Sequence, residues 1–134
     1  GLSGVEGGDI RDIVKAAERG DPKASETFDL FCYSVKKYVG AYAAALEGLD
    51  AVAFTGGIGE NGFRVRSMVC LGLAFLGVEL DEAVNVGQSG DRIISTPGSK
   101  TKVLVVEANE ERIVARRATR VLRRLEKPPA AIRA

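Results

Sequence analysis

No histidine occurs anywhere in the 134 residues, and that absence sets the first limit on the chemistry. The usual general base near neutral pH is missing. No Ser-His or Cys-His nucleophile can be assembled, and acid–base work falls to carboxylates or lysines. Cysteine is scarce too. Cys32 and Cys70 stand alone, without C-x-x-C spacing and without a histidine to complete a metal site. They read as reduced packing residues of a cytosolic protein. No apolar run approaches the ~18 residues needed to span a bilayer, and no h-region follows a basic start, so neither secretion nor membrane insertion is expected. Charge is nearly balanced at a net +1, yet residues 112–134 hold eight Lys or Arg against Glu126 alone. That basic end reads either as a contact for nucleic acid or an anionic surface, or as a solvated helix face with cations toward its C-terminus. The second reading is the one adopted, so no nucleic-acid or membrane partner is expected.

What is present suits one globular domain: 46% of residues are hydrophobic, and a chain of this length buries roughly two-thirds of its unfolded surface. The most informative stretch is Ala51-Val52-Ala53-Phe54-Thr55-Gly56-Gly57-Ile58-Gly59-Glu60-Asn61-Gly62. An apolar run collapses into glycines and restarts as a helical pattern, which predicts a strand, a tight loop and a helix start. Through glycine the backbone can approach a ligand closely, and the free N–H groups of the first helical turn face whatever sits there. Nucleotide binding is the chemistry this favours. The spelling Gly57-Ile58-Gly59-Glu60-Asn61-Gly62 also fits the dinucleotide fingerprint, with Glu79 or Asp81 following at about 20 residues. Against that, Glu60 in the first turn repels a pyrophosphate, and mostly helical pattern precedes a motif that usually opens a fold. A glycine-rich connection with no ligand is the remaining alternative.

Along the chain, Asp9 reads as the N-cap of a helix over Ile10–Arg19 ended by Gly20. Asp21-Pro22 restarts a long helix to about Glu47, with Phe28, Phe31, Cys32, Val35, Tyr38, Val39, Tyr42 and Leu46 as its apolar stripe. Ala51–Thr55, apolar without polar alternation, predicts a strand covered on both faces. A helix follows over about Glu60–Phe75, with an exposed start marked by Arg64 and Arg66 and a buried end at Met68, Leu71, Phe75 and Leu76. After Gly77 come an extended piece (78–80), a helical turn from Asp81, and a hairpin of 92–96 with 102–107 about Pro97–Lys100. A last helix begins near Asn109, with Ile113, Val114, Ala118, Val121, Leu122 and Leu125 on one side, and the tail 128–134 is expected to be loose. Parallel pairing of 51–55 with 102–107 through a right-handed crossover is favoured. The ligand site then lies where the loops 56–61 and 108–111 meet, beyond the strands' carboxyl ends.

These residues also carry a resemblance. Phe54–Asn61, together with Lys36-Lys37-Tyr38-Val39-Gly40-Ala41-Tyr42, Leu76-Gly77-Val78, Ile94-Ser95-Thr96, Asn109-Glu110-Glu111 and Asp9-Ile10-Arg11-Asp12, closely resembles the acetate kinase (acetate/propionate kinase) family. The likeness runs over nearly the whole chain, in order and spacing, and matches the family's C-terminal third. Ile10, Gly62 and Ala108 depart mildly from it, standing where methionine, serine and threonine are common.

The resemblance implies an α/β fold, the C-terminal domain portion of the acetate and sugar kinase/Hsp70/actin (ribonuclease H-like) fold, with a mixed sheet flanked by helices. Residues 1–134 would be one nucleotide-binding domain. It implies ATP/ADP contacts at Asp9, Ile10, Arg11, Gly57, Ile58, Gly59, Glu60 and Asn61, and Mg2+ near Glu110. Read without the resemblance, Asp9 is an N-cap, Arg11 a solvated cation and Glu110 a first-turn acid satisfying a helix dipole. The resemblance further implies phosphate transfer between ATP and acetate or propionate in the full-length protein, a cytoplasmic location and a homodimer. The family's catalytic arginine, histidine and aspartate residues belong to parts preceding Gly1, so this segment is expected to be inactive alone. Two further readings are a stand-alone, non-catalytic nucleotide or dinucleotide module, and a helical interaction piece pairing through residues 21–47.

Overall fold

The computed structural model describes residues 8–87 and 89–108, together with Gly4, Ala115 and 117–120. Two helices come first, α1 (Ile10–Glu18) and α2 (Pro22–Ala45). Both start where the sequence supplies caps. Asp9 accepts from the Arg11 N–H, and Asp21 accepts from Lys23 and Ala24 ahead of the Pro22 ring at the first helical position. Helix α2 ends at Ala45, and Glu47 just beyond it takes the left-handed conformation, with φ 59°.

A strand and two short helices follow: β1 (Ala51–Thr55), α3 (Gly56–Asn61) and α4 (Phe63–Cys70). Sequence pattern predicts one helix from about residue 60, but Gly62 breaks it at φ −89°, ψ 67°. A Cβ at Gly62 would sit 2.5 Å from the Ile58 carbonyl oxygen. Glycine is therefore required by the break. After a 3-10 turn over Ala74–Leu76 come α5 (Glu82–Val86), β2 (Arg92–Ile93) and β3 (Lys102–Val106).

The sheet order is β1-β3-β2, with β1 parallel to β3 (Phe54 opposite Val105) and β2 antiparallel (Ile93 opposite Leu104). The mixed sheet and the hairpin agree with the sequence reading. The two-sided burial of β1 does not: Phe54 is buried, while Ala51, Ala53 and Thr55 are exposed. Small residues on that face mimic a continuous apolar run in sequence while covering nothing in the described fold.

The core lies between the helices and the other sheet face, with Ile10, Ile13, Cys32, Phe54, Val65, Val69, Leu73, Ile94, Val103 and Val105 at its centre. Each large aliphatic side chain there contributes about 1.5–3 kcal/mol by leaving water. Two predicted stripes divide. In α2 the half towards Phe28, Phe31, Cys32, Val35 and Val39 packs on the core, whereas Tyr38, Tyr42 and Leu46 are exposed. In the α4 region Val65, Val69 and Leu73 are buried, while Leu71 and Phe75 are each 77% exposed. The second error has a local cause: α4 ends at Cys70, so Leu71 and Phe75 lie beyond the helix whose phase was used to place them. The predicted last helix falls mostly outside the described residues, of which Ala115 and 117–120 are helical.

Candidate functional site

The segment ahead of α1 is built around one carboxylate. Asp9 caps the helix through the Arg11 N–H at 2.8 Å and also accepts from the Arg11 guanidinium, at 3.1 and 3.2 Å from Nε and 2.6 Å from a terminal nitrogen. These Arg11 hydrogen bonds pull the Asp9 carboxyl down to about 2 and push the Arg11 guanidinium up. The pair is solvent-exposed, so its value for stability is small. Its consequence is geometric: the fork is pinned by two of its nitrogens, leaving the third outside the pairing.

At the end of β1, Gly56 takes φ +71° and turns the chain into α3. Thr55 stands at that helix's N-cap and makes no side-chain cap bond. The first-turn amides are therefore uncapped. The two segments meet across an open groove of about 810 Å³ lined by Gly8, Asp9, Ile10, Arg11, Ile13, Thr27, Phe31 and Thr55–Ile58. Ile10, Ile13, Phe31 and Ile58 offer apolar surface, with Asp9, Arg11 and Thr27 as polar groups. That composition suits a flat apolar group carrying polar edges. A second groove of about 380 Å³ continues past Ile58 and Arg11 to Asn61 and Arg64.

Five of the expected ligand residues, Asp9, Ile10, Arg11, Gly57 and Ile58, thus line one groove. Of the other three, Asn61 lines the adjoining groove, while Gly59 and Glu60 face elsewhere. Gly59 is buried against Phe54. Asn61 donates its side-chain amide to the Gly57 carbonyl at 3.0 Å, which ties the turn internally. Glu60 accepts the Ala108 N–H at 2.8 Å. That bond joins the loop after β1 to the loop after β3, the juxtaposition expected from parallel pairing. Glu110 lies outside the described residues, and among those described no three His, Cys, Asp or Glu side chains gather as a metal-ligand group.

Sequence reasoning missed Thr27 as a groove residue and assigned Phe31 to the core stripe alone. A helical residue at the rim of a stripe carries both roles, and periodicity does not separate them. It also missed Arg66, which is 1% exposed although the pattern placed it at an exposed helix start. The dinucleotide reading loses its acidic partner: Asp81 caps α5 by accepting the Val84 N–H, and Glu79 accepts from the Thr96 hydroxyl. Neither lines the groove.

Comparisons with known proteins bear on this geometry. A model described as the Acetokinase family matches residues 1–116. The chain is 50% identical over 117 residues to an acetate kinase of Carboxydothermus hydrogenoformans, covering 87% of this chain and 29% of that relative. It is 50% identical over 115 residues to one of Azobacteroides pseudotrichonymphae, covering 86% and 29%. Among solved structures, Porphyromonas gingivalis acetate kinase superposes with a TM-score of 0.81 at 42% identity, over 90% of this chain and 30% of that one. A propionate kinase of Francisella tularensis gives 0.72 at 34% identity, over 80% and 27%. The chain therefore spans less than a third of the length of these relatives.

Proposed function

The chain belongs to the acetokinase family, and from that membership we propose that it is the nucleotide-binding C-terminal part of an acetate kinase. The full-length protein would transfer a phosphoryl group between ATP and the carboxylate of acetate or propionate. The observation that carries this reading is the groove in which Asp9, Ile10, Arg11 and Thr55–Ile58 come together. In it the adenine ring would lie against Ile10, Ile13, Phe31 and Ile58, with Arg11 and the Thr55–Ile58 backbone meeting the polar part of the nucleotide. Gly59, Glu60 and Asn61 would shape the turn rather than touch the ligand.

Phosphoryl transfer depends on positioning and on cations around the transferring group. The groove supplies one arginine and no histidine, so its share of the reaction is binding and orientation. Magnesium beside Glu110 remains part of the proposal on the strength of the resemblance, as do a homodimer and a cytoplasmic location. No helix among the described residues is long and apolar enough to cross a membrane.

The test is a coupled ATP-formation assay on the full-length protein and on this 134-residue segment, with host kinase excluded. Turnover of acetyl phosphate and ADP by the full-length protein alone is expected. Turnover by the segment would refute the division of labour, and absence from both would refute the kinase reading.

A further inference from the structure

Arg66 is buried to 1% exposure on α4, and its guanidinium is bonded on every nitrogen. Nε donates to the Asn85 side-chain oxygen at 2.7 Å, and one terminal nitrogen donates to the Asn85 carbonyl at 2.7 Å. The other reaches the Gly59 and Glu60 carbonyls at 2.7 and 2.9 Å. Every one of these acceptors is neutral. Asn85, itself 0% exposed, is held in turn by donating to the Phe63 carbonyl, the Ser67 hydroxyl and the Glu82 carboxylate.

A buried cation whose hydrogen-bond partners include no carboxylate is costly to the fold. Burial first, and the neighbouring Arg92 charge second, push its proton affinity down. A methionine of similar volume would fill the space without that cost. What arginine alone supplies is a rigid fork of donors, and the fork joins two places. One is α5. The other is the end of α3, where the break at Gly62 leaves the Gly59 and Glu60 carbonyls without helical partners.

We propose that Arg66 is a positioning residue for the nucleotide groove, holding the glycine turn from beneath by the Gly59 and Glu60 carbonyls so that Gly57 and Ile58 are presented in one fixed orientation. The proposal rests on the nucleotide reading of that groove. It also explains why the two faces of the turn differ. Gly57 and Ile58 are exposed toward the groove, while Gly59 is packed on Phe54 and the Glu60 side chain is drawn away to Ala108.

The experiment compares Arg66→Lys, Arg66→Met and Asn85→Ser with the parent in the full-length kinase. It reads KM for ATP, KM for acetate, kcat, melting temperature and amide exchange over 57–61. A lysine keeps the charge but cannot bridge Asn85 and both carbonyls. The expected result for both Arg66 variants is a KM for ATP raised about tenfold or more, a KM for acetate within about twofold, and turn amides exchanging about tenfold faster. Asn85→Ser should move the same quantities in the same direction by less. If Arg66→Met does not fold, the other two variants decide. A lower melting temperature with KM for ATP unchanged would overturn the proposal and leave Arg66 a fold buttress. Both KM values rising in parallel would also overturn it. The exchange measurement reads the turn independently of catalysis. Unchanged turn protection sinks this inference even if the parent binds ATP, and a parent that does not bind ATP sinks the kinase reading instead.

Discussion

Replacing Gly59 by alanine should damage the fold, whereas the same change at Gly57 should not. An ideal Cβ on Gly59 lies 2.9 Å from the Phe54 carbonyl carbon and 3.4 Å from both its Cα and Cβ. These atoms belong to β1, which is paired to β3 along its length, so they cannot swing aside as a flexible side chain would. Overpacking of this kind costs about 1–3 kcal/mol. Within a helical turn, alanine recovers up to about 1 kcal/mol over glycine. The net destabilisation is then about 1–2 kcal/mol. At Gly57 nothing lies within 4 Å of the added Cβ, so only the small helical gain remains. The positive φ of the turn falls on Gly56, so neither substitution adds backbone strain of that kind. Urea unfolding is the assay. With slopes of ~1–3 kcal/mol/M, Gly59→Ala should lower the midpoint by roughly 0.3–2 M at unchanged slope, while Gly57→Ala keeps it and weakens nucleotide binding instead. A Gly59→Ala midpoint at or above that of Gly57→Ala would refute the packing argument.

Three other outcomes are expected. Glu60→Ala should remove the acceptor of the Ala108 N–H and cost about 1 kcal/mol, with that amide losing hydrogen-exchange protection; full protection in the variant would show the bond is dispensable. Cys32 and Cys70 are buried, and burial pushes both thiols up to about 11, so neither should label with iodoacetamide at pH 8 until denaturant is added, and rapid native-state labelling would contradict their placement. Because the Asp9 carboxyl is held down to about 2 by Arg11, its contribution is fully present above the ordinary carboxylate range near pH 4 and is lost as pH falls through about 2. Between those values the parent should lose more stability than Asp9→Asn, and parallel acid profiles would remove the Arg11 pairing from the account.

Much of the fold was legible because local chemistry dictated it. Asp9 and Asp21 announce two helix starts, and the Pro97–Lys100 turn announces the hairpin. The groove was half legible. Asp9–Arg11 and Gly57–Ile58 carry motif information, whereas Phe31 and Thr27 enter through the packing of α2 beside α1, which no spacing encodes. Arg66 was invisible for a stronger physical reason. A charged residue two positions from another arginine reads as solvated, and it takes the orphan Gly59 and Glu60 carbonyls just before the Gly62 break, together with Asn85, to create a buried place for it. The exposed face of β1 escaped detection because alanine is compatible with either environment.

The central claim is that the groove between the Asp9 cap and the Gly56 turn holds nucleotide. Hydrogen–deuterium exchange of the full-length protein with and without ADP tests it most directly. Protection should appear in peptides spanning 9–13 and 55–58, with the Thr27–Phe31 stretch of α2 following, because these are the residues that line the groove. Protection confined to the separate cavity beside Arg92 and Glu107, or no change at 9–13 and 55–58 under saturating ADP, would contradict the claim.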